Sequence, residues 1–110
     1  MRLRTLEREN EMLIHSVYFW LKDELSSGEM DEFRAGLETL KKIEVARDVQ
    51  IGTPAETAPR PVLDASYDAG LVVLLDDVAA HDAYQAHPLH QAFLEKFASY
   101  WRKVLVYDVG

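Results

Sequence analysis

Residues 12–21, Met-Leu-Ile-His-Ser-Val-Tyr-Phe-Trp-Leu, set the tightest limit on what this chain can fold into. They are β-branched, aromatic and aliphatic residues, the types that suit a strand. Side chains alternate between the faces of a strand. His15, Val17, Phe19 and Leu21 therefore share one side, and Ile14, Ser16, Tyr18 and Trp20 the other. Neither side is polar, and a strand of that kind is covered on both faces. Any fold for this chain must put helices against one side of residues 12–21 and some other cover against the opposite side.

The helices are legible downstream. Lys22 to Ser27 breaks the strand pattern, and Ser26 or Ser27 can cap a helix whose first turn holds Glu29, Asp31 and Glu32. Met30, Phe33, Leu37, Leu40 and Ile43 recur at helical spacing as its buried stripe, and Lys41 and Lys42 suit its negative end. Val45 to Ile51 reads as a short strand stopped by Gly52. Thr53 to Ala65, with Pro54, Pro59 and Pro61, is a long loop of the kind that serves as a lid or partner contact. Tyr67 to Leu75 is a third strand, again apolar on both faces. Asp76 or Asp77 caps a helix from Val78 to about Ala86, a second helical segment runs from Pro88 to about Tyr100, and Lys103 to Val109 is the last strand.

Strand, helix, strand, strand, helix, strand is the split βαβ order. It implies an α+β, ferredoxin-like fold, with a four-stranded antiparallel sheet and its helices on one face. The other face carries Tyr18 and Trp20, too apolar for open water. The expected cover is a second copy of the chain, a homodimer through the outer sheet faces that makes a dimeric α+β barrel. Residues 1–11 are polar and charge-balanced, read as an N-terminal extension to a single domain over 12–110.

Composition removes several functions. The chain has no cysteine, which excludes thiolate catalysis, disulfides and cysteine-based metal sites. Its formal charge of −7, with no offsetting basic cluster, argues against nucleic acid. No apolar run approaches a membrane span. The expectation is a soluble cytoplasmic protein that binds no membrane.

The chemistry concentrates in Tyr84-Gln85-Ala86-His87-Pro88-Leu89-His90. The residue before a proline is pushed out of the helical region, so His87 sits at a bend. Proline is tolerated in the first turn of a helix, so Pro88 can open one that carries His90 in that turn. His90 then shares a face with Phe93, Leu94, Phe97 and Trp101. This aims a titratable ring into an aromatic-lined region, which is how a base is built and also how a structural histidine is buried.

Three motifs together resemble the stress-responsive A/B barrel (Dabb) domain family. Ile14 to Asp23 is similar to its opening H-x-V-x-F-x-L-K strand, Tyr84 to His90 to its Y-x-x-H-P-x-H motif, and Tyr107-Asp108 to the aromatic-Asp ending of its last strand. The resemblance covers residues 12–110 and implies the same dimeric α+β barrel. One plant member, olivetolic acid cyclase, closes a linear polyketide by aldol condensation. Its catalytic tyrosine and histidine match Tyr84 and His90, its strand-one histidine His15, and its late aspartate Asp108. Two of its cavity residues fall on Ala69 and Gly36 here, so the substrate does not carry over.

The resemblance thus implies a cofactor-independent reaction on a small hydrophobic carbonyl compound. His90 would remove a proton, Tyr84 would bond the developing enolate oxygen, and Asp108 would fix the imidazole tautomer. His15, Val17, Phe19, Phe33, Leu37, Phe93, Leu94, Phe97 and Trp101 are the expected pocket residues. The alternatives are a non-catalytic, stress-associated binding or structural dimer and, by fold analogy alone, a cofactor-independent monooxygenase. No cofactor and no metal are expected, since the spacing of His81, His87 and His90 across Pro88 is not that of a zinc helix.

Overall fold

The computed structural model describes residues 12–110; the N-terminal extension read over 1–11 lies outside the described residues. Strand β1 spans Leu13–Leu21, helix α1 Ser27–Thr39, β2 Asp48–Gly52, β3 Ala69–Leu75, α2 Val78–Ala86, α3 Pro88–Phe97 and β4 Trp101–Val109. The sheet order is β2-β3-β1-β4, antiparallel throughout. This is the ferredoxin-like α+β architecture, and β1 and β3, the two strands apolar on both faces, take the inner positions of the sheet.

Register assigns the faces. His15 pairs with Val73 and Asp108, Val17 with Leu71 and Val106, and Phe19 with Ala69 and Val104. These residues face the helices. Ile14, Ser16, Tyr18 and Trp20 pair with Val109, Tyr107, Leu105 and Lys103 on the outer face. The core lies between the inner face and the helices, with Phe19, Phe33, Leu37, Leu40, Val73, Leu75 and Tyr84 almost wholly excluded from water.

The local signals act as their chemistry dictates. Ser26 caps α1 in a reciprocal capping box with Glu29. Asp77, not Asp76, caps α2 by accepting from Ala80 N at 2.8 Å. Pro88 stands at the start of α3 after an extended His87, whose ψ of 139° ends α2. Gly36 lets the Phe97 ring lie directly on α1, where an added Cβ would collide with it.

Three expectations need correction. The second strand begins at Asp48 rather than Val45, because α1 runs on into a 3₁₀ turn over Leu40–Lys42 and the chain needs 43–47 to reverse. Met30 is exposed, not part of the buried stripe. Trp20 needs no second copy to cover it. Its indole Nε1 donates to Ser66 Oγ at 3.0 Å, the Tyr67 ring packs against it, and Lys103 Nζ lies 4.4 Å above it, leaving it 5% exposed. Residues 66–68, just after the proline-containing segment, thus fold back against this part of β1, anchored where Asp68 accepts from Leu21 N at 2.7 Å beside the β1 irregularity at Trp20/Leu21. Among the described residues, no helix is long and apolar enough to cross a membrane.

Candidate functional site

β1, α2, α3 and β4 deliver four titratable rings and a carboxylate to one end of the helix-facing layer. The His15 and Tyr84 rings are 5.9 Å apart between centroids, Tyr84 and His90 5.0 Å, and His15 and His81 5.1 Å, all edge-to-face. Tyr84 is therefore the centre of the group, held between the two buried histidines.

Beside them is a cavity of about 170 Å³. Its wall comprises His15, Val17, Phe19, Leu40, Leu71, Gln85, His90, Phe93, Leu94, Trp101, Val104 and Val106. Of the pocket residues expected from sequence, His15, Val17, Phe19, Phe93, Leu94 and Trp101 line it. Phe33, Leu37 and Phe97 do not. Phe33 and Leu37 border a groove beside β2 and Phe97 one between α1 and α3, because those rings pack against each other farther along the helices. Leu40, Leu71, Gln85, Val104 and Val106 are wall residues that the sequence did not single out. Both β4 valines are exposed, so the cavity meets solvent where the edge strand extends past the helices.

Polar groups without partners gather here. Among the described residues, the buried side-chain atoms with no hydrogen-bond partner are Tyr84 Oη, Gln85 Oε1, His90 Nδ1 and Trp101 Nε1. Three belong to residues of the cavity wall, and the fourth to Tyr84, which packs edge-to-face on His90 rather than lining the cavity itself. Unpaired buried polar atoms are rare and costly, and neither the groove beside β2 nor the one between α1 and α3 contains one.

The electrostatics follow from burial. Burial pushes the His90 imidazole below the ordinary histidine range, charge on His15 and His81 pushes the same way, and the Gln85 backbone opposes them in part. His90 is thus neutral at neutral pH. Burial also pushes the Tyr84 phenol up, which keeps its proton in place as a donor.

Asp108 departs from the expected arrangement. It accepts from His15 Nδ1, 2.5 Å away, and is not on His90. The cross-strand register places it opposite His15 on the same face, which fixes the pairing. Its second oxygen faces His81 Nε2 at 3.8 Å, and His81 Nδ1 lies 3.1 Å from Asp82 Oδ1. His87 holds the bend between helices, its Nδ1 accepting from Leu89 N at 3.1 Å and its Nε2 3.4 Å from Glu44. The trio His81, His87 and His90 therefore does not converge.

A sequence profile of the stress responsive A/B barrel domain matches residues 13–110. The chain belongs to that family. No curated protein is similar to it in sequence. Among solved structures, a Dabb family protein with a ferredoxin-like fold from Mesorhizobium loti is 27% identical, with a TM-score of 0.73 over 90% of this chain and 95% of that one. A dimeric ferredoxin-like protein of unknown function from Thermobifida fusca is 22% identical, with a TM-score of 0.74 over 90% of both chains. The hydroxynitrile lyase of Passiflora edulis is 21% identical, with a TM-score of 0.76 over 91% and 93%. The last two likenesses establish the shared fold.

Proposed function

We propose that this Dabb protein binds a small hydrophobic carbonyl compound in the cavity and removes a proton from the carbon next to its carbonyl. The observation that carries the reading is the gathering of unpartnered buried polar atoms at one apolar-walled cavity. A ligand oxygen is the natural partner for the Trp101 Nε1–H and a ligand hydroxyl for the Gln85 Oε1 acceptor, and the aliphatic and aromatic wall suits the rest of the molecule. In this reading neutral His90 takes the proton, the C–H electron pair moves onto the carbonyl oxygen, and the Tyr84 hydroxyl donates to the resulting enolate once the His90 ring in front of it has turned. The enolate can then attack a second carbonyl, as in a polyketide cyclase. The same fold serves a lyase in Passiflora edulis, which supports a scaffold able to host chemistry of this kind.

One observation favours a second reading, ligand binding without turnover. The carboxylate that would orient a base sits on His15, and the Tyr84 ring stands behind the wall. Hydrogen–deuterium exchange separates the readings. A hydrophobic aryl ketone or β-diketone in deuterated buffer should exchange its α-protons faster with the protein, and His90→Gln should lower that rate by about 10²-fold or more. Equal rates for both proteins, with the ketone still bound, would leave only the binding reading.

The protein is also proposed to act as a homodimer through the outer sheet face. Ile14, Tyr107 and Val109 are exposed there, Tyr18 packs on Tyr67 and Tyr107, and the Thermobifida fusca relative is dimeric. Trp20 would support that face from beneath.

A further inference from the structure

We propose that His15, His81 and Asp108 form a binding site for a divalent transition metal of the zinc type. The three come from β1, α2 and β4, and one ligating atom from each lies within 4.8 Å of the others. Each oxygen of Asp108 faces a different imidazole, Oδ1 at 2.5 Å from His15 Nδ1 and Oδ2 at 3.8 Å from His81 Nε2. Zinc–nitrogen and zinc–oxygen bonds of about 2.0–2.2 Å place tetrahedral ligand atoms about 3.3 Å apart, so the three ligating atoms, now within 4.8 Å of one another, need only draw together around the ion. Small side-chain rotations would therefore complete the geometry.

The surroundings fit a metal better than a simple hydrogen bond. A His15–Asp108 pair alone accounts for one contact. It leaves His81 Nε2 pointed at a carboxylate from beyond hydrogen-bonding range. Asp82 stands 3.1 Å from the far nitrogen of His81, the position in which a carboxylate orients a metal-ligating histidine and leaves its Nε2 with the lone pair. The exposure is graded: the His15 side chain is 5% exposed, His81 18% and Asp108 43%. The buried histidine gives the site a floor, and the Asp108 side leaves an entry path and a fourth coordination position. For His15 to ligate through Nδ1 its ring must carry its proton on Nε2, so that both histidines bind as neutral imidazoles and the hydrogen bond to Asp108 gives way to the cation. The proposal does not depend on proton abstraction by His90.

The test is calorimetric titration of untagged, chelator-treated protein with Zn²⁺, and with Co²⁺ read by its visible absorption. Binding near one equivalent per chain is expected, with a raised melting temperature. His81→Gln and Asp108→Asn should each weaken it at least tenfold, and His87→Gln should leave it unchanged. Circular dichroism checks that the variants fold, and if Asp108→Asn does not, His81→Gln alone decides. Wild type binding no more tightly than His81→Gln, or His87→Gln weakening binding as much, would overturn the site.

Discussion

The two ends of the helix-facing layer are built on opposite rules. At one end Phe33 and Phe97 pack ring against ring at 5.7 Å, with the Phe97 ring lying on Gly36, and neither residue lines the cavity. At the other, His15, Tyr84 and His90 pack at similar distances, 5.0–5.9 Å, yet Tyr84 and His90 carry polar atoms that the protein leaves without partners. Ring packing is the same; polar satisfaction is not. The first end stabilises the fold, and the second forgoes part of that stability, as the ligand site proposed above requires.

Substitutions should expose this difference. The largest effect belongs to the aromatic end: Phe33→Ala should cost about 3–5 kcal/mol, measured by urea denaturation, through lost burial and an unfilled cavity. Gly36→Ala should cost about 1–3 kcal/mol, because its methyl would meet the Phe97 ring and force helix α1 or the ring to move.

At the imidazole end a smaller, pH-dependent effect is expected. The folded-state pKa of His90 lies below its unfolded value. Between those two values the unfolded chain holds more protons, so stability is fully present above the unfolded pKa near 6.5 and falls as pH drops through the window to the folded value. Stability measured from pH 7 down to 5 should therefore fall more steeply for wild type than for His90→Gln. Parallel curves would mean that the His90 ring is not held neutral by burial.

Much of this architecture was legible because it rests on local chemistry. The two-sided apolar strand, the Ser26 and Asp77 caps and the bend at His87-Pro88 each follow from residues adjacent in sequence. What was not legible depends on strand register and on one side chain covering another. Asp108 meets His15 rather than His90 only because β4 pairs with β1 in one register, and hydrophobic alternation says which face a residue takes but not its partner. Trp20 looked exposed because alternation cannot see Tyr67 and Lys103 folding over it. His81 did carry a signal: it precedes Tyr84 by three positions and so shares its helical face, but its partners come from both ends of the chain. The Phe33, Leu37 and Phe97 misplacement has a similar origin, since periodicity identifies a buried face without saying where along it a cavity opens.

The most direct test of the central claim is the urea denaturation midpoint of Tyr84→Phe. The hydroxyl is buried and has no partner within the protein, so removing it should leave stability unchanged or raise it by up to about 1 kcal/mol. A loss of more than about 1 kcal/mol would mean that the hydroxyl is already satisfied within the fold, and that this end of the molecule is ordinary core rather than a site awaiting a ligand.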